Sequence, residues 1–304
     1  MRKQVLLIFA LFSFCMAHAQ SVLISGKLVG ERKPAEISLL SIVDGSNTVI
    51  ATVVPSADGS FGFTFTHDYE GFYLIGGPKD MDVQFPVYIK GGEKFSVVIN
   101  DKTITYQGKL SAENKVLAQW VAMSEVVRNK SHYWMTNQSI YSDFFPDLEA
   151  LAAKNPGFVA GIKTKNPVFN ELMKDYVRYM TAYYAINFLR VPRSAHPQKT
   201  DFTPFYSSIV GPDYFANDNV LKLPLSRRFM SMYVDFATDF DRQTANKLPL
   251  FGTDKQRAVY LASTDLTRLK TYDAYLDFVA DYGKYFSAPE FKKLLEDTGS
   301  KLYE

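Results

Sequence analysis

The sequence predicts an α+β fold with its two kinds of element segregated, an antiparallel β-sandwich first and an all-helical domain after it. Three observations predict this. Up to about Gln107 the chain runs in short stretches rich in Val, Ile, Thr, Gly and Phe, each ended by a turn signal. From Ser111 onward, Ala, Leu, Lys, Tyr and Met dominate longer segments whose apolar positions recur with the helical period. The change falls at Gly108 to Ser111, which divides the 304 residues into a leader at 1–19, a β domain at 20–108 and a helical domain at 109–304.

The leader comes first. Arg2 and Lys3 form a basic n-region, Val5 to Met16 an apolar stretch, and Ala17-His18-Ala19 an A-x-A cleavage site, so the mature chain is expected to start at Gln20. The apolar stretch is well short of the ~20 residues that span a bilayer. Phe14 stands where a lipoprotein signal would need a small residue before Cys15, the single cysteine of the chain. An exported protein without thiols is therefore expected, in the periplasm or otherwise outside the cytoplasm. Cleavage would remove two of 34 basic residues and none of 32 acidic ones, leaving no net charge and no electrostatic footprint for nucleic acid. The basic groups at Arg190, Arg193 and Lys199 and at Arg227-Arg228 read as solvated faces.

Strands are predicted at Val22 to Val29, Ile37 to Val43, Thr48 to Val54, Ser60 to Thr66, Gly71 to Ile75, Val83 to Lys90 and Phe95 to Ile99. Asp44-Gly45-Ser46 and Asp58-Gly59-Ser60 read as hairpin turns, because Asp bonds its own downstream backbone while Gly supplies positive φ. Phe61, Phe63 and Phe65 alternate with small residues and form one inward stripe. Gly91-Gly92-Glu93-Lys94 lacks the spacing of a phosphate loop and reads as a further hairpin loop.

Ser111 is the expected N-cap of the first helix, with Glu113 in its first turn. A second helix is expected over Asp143 to Lys154. A third starts with Asn166 as N-cap and Pro167 at N1 and runs to about Leu189, with an apolar stripe of Phe169, Leu172, Met173, Tyr176, Met180 and Tyr183. The proline-bearing segment Val191 to Val210 should connect with at most one short helix. Helices then follow near Leu225 to Phe240, Asp254 to Ala262, Tyr272 to Phe286 and Pro289 to Tyr303, the last with a capping-box order at Ser287 and Glu290.

Catalytic chemistry is not announced by any motif. His67, His132 and His196 have no metal-ligand spacing, and no G-x-S-x-G elbow accompanies Ser207, Ser208, Ser226 or Ser231. The pairs Asp80 with Asp82, Asp239 with Asp241, and Asp277 with Asp281 are too close in sequence to flank a sugar cleft. No catalytic residue, metal or cofactor is assigned. The compositional excess is aromatic, with 24 Phe and 19 Tyr. Trp134, Tyr141, Phe144, Phe205 and Tyr206 are the candidate anchors of a binding surface, since a few such rings commonly carry interface energy.

Ile24-Ser25-Gly26-Lys27-Leu28, Asp58-Gly59-Ser60-Phe61-Gly62-Phe63, Gly71-Phe72-Tyr73-Leu74 and Gly91-Gly92-Glu93-Lys94-Phe95 together resemble a β domain that precedes thioredoxin-like domains of the TlpA and AhpC/TSA type in exported bacterial proteins. The Ser111-Ala112-Glu113-Asn114 helix start and the tyrosine-rich helices resemble the linker region of the same proteins. The resemblance implies a thiol-disulfide domain with a W-C-x-x-C motif, which these 304 residues do not contain. The chain then reads either as a stand-alone accessory module or as a truncated product. The expected function is a non-catalytic binding or scaffold module contacting a protein or peptide in the cell envelope, a separate thioredoxin-like protein among the candidate partners. The alternatives are a hydrolase built on His132 or His196 with a serine or carboxylate, and a carbohydrate-binding surface protein.

Overall fold

The computed structural model describes residues 21–31, 33–78, 83–132, 138–240 and 250–303. The predicted leader lies outside these residues. Eight strands come first and the helices follow, so the segregated α+β order holds.

The strands are β1 (Val22–Val29), β2 (Ile37–Val43), β3 (Ser46–Val53), β4 (Ser60–Phe65), β5 (Gly71–Gly76), β6 (Gln84–Ile89), β7 (Lys94–Asn100) and β8 (Thr103–Gln107). They form two four-stranded sheets, ordered β4-β1-β7-β8 and β3-β2-β5-β6. The first sheet is mixed. β1 runs antiparallel to β4, with Ile24 opposite Phe63, but parallel to β7, with Ile24 opposite Phe95. The all-antiparallel expectation is thereby corrected, because side-chain alternation records which face a residue occupies and not the direction of its neighbour. Two of the three predicted hairpins are corrected for a related reason. Asp58-Gly59-Ser60 leads from β3 to β4, and Gly91-Gly92 from β6 to β7, and each link joins strands of different sheets. Asp44-Gly45 is a true two-residue hairpin turn, with φ of 45° and 75° at its two positions, the signature of the primed turn that matches strand twist. β8 has no counterpart among the predicted strands; its five residues are mostly polar or half-exposed, so their alternation carries little signal.

Phe61 and Phe63 are buried and meet edge to face, as the inward stripe requires. The Phe61 ring occupies the space over Gly26 on β1, where any Cβ would meet it at 2.0 Å.

The helices are α1 (Ala112–His132), α2 (Tyr141–Gly161), α3 (Pro167–Arg190), α4 (Pro204–Ile209), α5 (Ser226–Phe240), α6 (Asp254–Ser263), α7 (Tyr272–Tyr282) and α8 (Pro289–Tyr303). Ser111 Oγ accepts from the Asn114 amide and Asn166 Oδ1 from the Phe169 amide, the two expected N-caps. α2 starts two residues before Asp143, which sits at N3 and reaches back to the Ile140 amide at 2.7 Å. It also continues past Pro156, whose surroundings are largely exposed, so water can take the carbonyl that loses its partner. α8 begins with Ala288 at the cap position, one residue beyond Ser287. α3 is more buried than a stripe: every residue from Tyr179 to Phe188 is buried, the signature of a helix enclosed on all sides.

Two compact units result. The first holds the described residues up to Ser41, with Asn47–Glu125 and Lys163–Phe169; the second holds Ile42–Ser46, Val126–Ile162 and the chain from Asn170 onward. The composition change at 108–111 therefore marks the start of α1 and not a limit between units. Side chains explain why α1 begins in the first unit. Asn114, fully buried, takes the Tyr88 amide on its Oδ1 at 2.9 Å and donates to the Tyr88 carbonyl at 2.7 Å, while Glu113 receives Lys90 at 2.8 Å. Phe169 meets the Tyr88 ring at 4.7 Å, and Asn166 donates to Glu70 at 2.5 Å, which keeps the start of α3 in the same unit.

Candidate functional site

The helical unit contains a cavity of about 500 Å³, within the range that encloses small ligands or an anchoring side chain. α3 supplies Ile186, Leu189 and Arg190, the connection after it supplies Lys199 and Phe202, and α5 supplies Phe236 and Asp239. Ile186 and Phe236 are buried and form the floor, whereas Arg190, Lys199 and Asp239 are exposed and form a charged rim. The Arg190 guanidinium is held by Asp235 at 2.6 Å, which fixes its position at the mouth.

Aromatic packing holds the floor in place. Phe202 stands edge-on to Tyr206 at 5.1 Å and lies near Phe145 at 6.3 Å, and Tyr206 contacts Phe236 at 6.1 Å. The Tyr206 hydroxyl donates to the Ala185 carbonyl at 3.1 Å, and burial pushes its pKa well above the usual phenol value, so it remains a neutral donor. Behind it the Phe144 and Phe188 rings stack at 3.9 Å and 3°.

The five proposed anchors are thus distributed differently from an exposed patch. Phe144 and Tyr206 are fully buried, so as surface anchors they are corrected: their rings fill space between α2, α3 and α4, where enclosure returns more free energy than exposure. Tyr141 and Phe205 are half-buried, Tyr141 beside Phe145 at 5.8 Å and Phe205 with its amide on Glu149 at 3.2 Å. Trp134 lies outside the described residues. Tyr141, Phe144 and Tyr206 do gather around one ring, Phe145, but as the support of the cavity.

Arg193 is a second correction. It is 8% exposed and binds four backbone carbonyls, those of Ser139 at 2.7 Å, Lys130 at 2.8 Å, Phe188 at 3.0 Å and Ser131 at 3.2 Å. Its guanidinium lies 3.5 Å from the Phe188 ring centre. Burial lowers its pKa to about 10, which leaves it charged at neutral pH. It is a clamp on the chain, while its neighbours Arg190 and Lys199 reach the cavity rim.

The residues of the enzyme alternatives are scattered. His132 ends α1 against the rings of Tyr183 and Tyr184, and His196 is exposed in the connection after α3. Ser226 is buried with its hydroxyl on the Val220 and Leu223 carbonyls, and Ser208 bonds the Phe205 carbonyl. Asp277 and Asp281 are exposed on α7, and Asp80, Asp82 and Asp241 lie outside the described residues. Among the described residues no cluster of three or more His, Cys, Asp or Glu could hold a metal, and no helix is long and apolar enough to cross a membrane.

Sequence reasoning passed over the cavity because its parts come from segments up to about fifty residues apart. The available signal was the grouping of Arg190, Lys199 and Phe202 at and just after the end of α3. In comparisons with known proteins, the chain matches no family model and no curated protein.

Proposed function

We propose that the protein is an exported, non-catalytic binding or scaffold module that holds a protein or peptide partner by one apolar anchor in the cavity of its helical unit. The cavity carries this reading: an apolar floor encloses a side chain, while Arg190 and Lys199 suit a carboxylate and Asp239 accepts an N–H donor. The proposal includes face-to-face packing of the two sheets as a sandwich, supported by strict alternation of buried and outward positions in β7. It also includes kinship with the accessory region of TlpA-type proteins, supported by the β-domain motifs, and release of the leader before Gln20.

A peptide library displayed on phage tests the cavity. Peptides enriched on the wild-type protein should share an apolar anchor, and Leu189→Trp, which fills the cavity, should weaken them about tenfold or more. Peptides that bind Leu189→Trp and wild type equally would sink the assignment. N-terminal sequencing of protein from the envelope fraction tests the processing, with Gln20 as the expected first residue.

A further inference from the structure

We propose that the cavity of the helical unit recognises the C-terminal residue of a peptide or protein partner. The last side chain lies on the apolar floor, the terminal carboxylate meets Arg190 and Lys199, and the last backbone N–H donates to Asp239. The inference rests on the reading of this cavity as the anchoring site and names the chemistry of the anchor. The charges at the rim are unevenly spent. Asp235 takes one Arg190 nitrogen at 2.6 Å, and the planar guanidinium has further N–H groups to offer. Lys199 and Asp239 are both exposed, and neither has an ion-pair partner among the described residues. The mouth is therefore rich in donors: two cationic groups with N–H to spare stand against the one free carboxylate of Asp239. The ligand group that suits them is rich in acceptors, and a carboxylate takes such donors in strong charge-assisted hydrogen bonds.

Spacing brings these demands within one residue of the partner. Asp235, which positions Arg190, and Asp239 are four apart on α5, so they share a face one turn apart, with Cβ atoms about 5–6 Å from each other. In a C-terminal residue the amide nitrogen and the carboxyl carbon are two bonds apart, joined through the Cα that bears the side chain. One residue can thus present an N–H to Asp239, a carboxylate to Arg190 and Lys199, and an apolar group to the floor of Ile186, Leu189 and Phe236. Other occupants leave part of the rim unmatched. An internal residue brings no charge for Lys199, and a fatty acyl chain brings no donor for Asp239. An N-terminal residue offers a carbonyl where two cations wait, and its ammonium has three N–H groups for one free carboxylate. The mixed aliphatic and aromatic lining, with Phe202 beside the floor, suits Leu or Phe as the last residue.

The test titrates the full chain by calorimetry with three probes. They are N-acetyl-Gly-Ser-Gly-Phe with a free carboxylate, the same peptide as its C-terminal amide, and Phe-Gly-Ser-Gly-amide with a free N-terminus. The free acid should bind about tenfold or more tightly than either of the others, a comparison made on one protein and independent of how any variant folds. Lys199→Ala, at an exposed side chain, should shrink the difference between acid and amide to about threefold, and Leu189→Trp should weaken the acid about tenfold or more. Equal binding of acid and amide, both lost in Leu189→Trp, overturns the C-terminal assignment and leaves the cavity standing as an anchoring site. Tighter binding of the probe with a free N-terminus overturns it in the same way. Acid binding that is alike in wild type and Leu189→Trp sinks both readings. An acid probe that does not bind wild type overturns the C-terminal assignment, since it carries every group the assignment needs, while the phage selection still judges the cavity.

Discussion

Arg193→Ala should cost the helical unit about 3 kcal/mol, and the figure follows from the geometry of the clamp. Four carbonyls receive the guanidinium, but Lys130 and Ser131 share one nitrogen, so three independent donors are at work. Hydrogen bonds to a charged group contribute about 1.5–3 kcal/mol each, roughly 6 kcal/mol in all. Against this stands the cost of taking the charge out of water, several kcal/mol for a buried ion and about 3 kcal/mol for one this well bonded, in the sense shown by its lowered pKa. The difference is the net contribution, with the stacking on Phe188 adding to it. Arg193→Lys keeps the charge but offers one point donor in place of a planar fork, so it should recover less than half of the loss. Urea unfolding followed by tyrosine fluorescence, fitted for two transitions, reads both variants. If Arg193→Ala stays within 0.5 kcal/mol of wild type, the carbonyls are satisfied by water and the clamp is not a source of stability.

Two further outcomes concern the β unit. Glu93 is buried with Oε1 unpaired, and burial raises its pKa, opposed by bonding from Ser111 and the charge of Lys90 and reinforced by the charge of Glu113. The folded state therefore binds this proton more tightly than the unfolded chain, so stability falls as pH rises from the ordinary value of 4.5 through the raised one. Glu93→Gln should be more stable than wild type by about 1 kcal/mol at neutral pH and equal to it below pH 4.5 in urea titrations; destabilisation at neutral pH would contradict the assignment. Glu113 titrates in the opposite sense. Burial pushes its carboxyl up, but the Lys90 hydrogen bond prevails and holds it low, so its contribution is lost only as pH falls through that lowered value. Asn114→Leu leaves the Tyr88 amide and carbonyl buried and unpaired and should cost about 2–4 kcal/mol in the same assay, while a loss under 0.5 kcal/mol would show that water satisfies both groups in its place.

The parts of this fold that were legible in the sequence are those written in local chemistry. Asn166-Pro167 starts α3 at the expected residue because a cap and a preset φ act within one turn. Asp44-Gly45 makes its hairpin because both positions need positive φ and these two residues tolerate it. Asp58-Gly59 carries the same turn chemistry and makes no hairpin, since a turn reverses the chain but does not choose the sheet that receives it. The parallel pairing of β1 with β7 is invisible for the same reason, being a property of two segments about seventy residues apart.

The candidate site was illegible for a different reason, which concerns the meaning of an aromatic or a cation before its neighbours are known. Phe144 and Phe202 look alike in sequence, yet one is stacked in the core and the other lines a cavity. Arg190 and Arg193 stand three residues apart at the end of α3, and that short step separates a charge at a binding rim from a charge fastened to four carbonyls. The distinction is made by what lies across from each: carbonyls at the end of α1 and just before α2 for Arg193, and Asp235 on α5 for Arg190. A guanidinium is desolvated only where enough acceptors replace water, so the carbonyls left at those chain ends decide which arginine is drawn inward and which remains available to a partner.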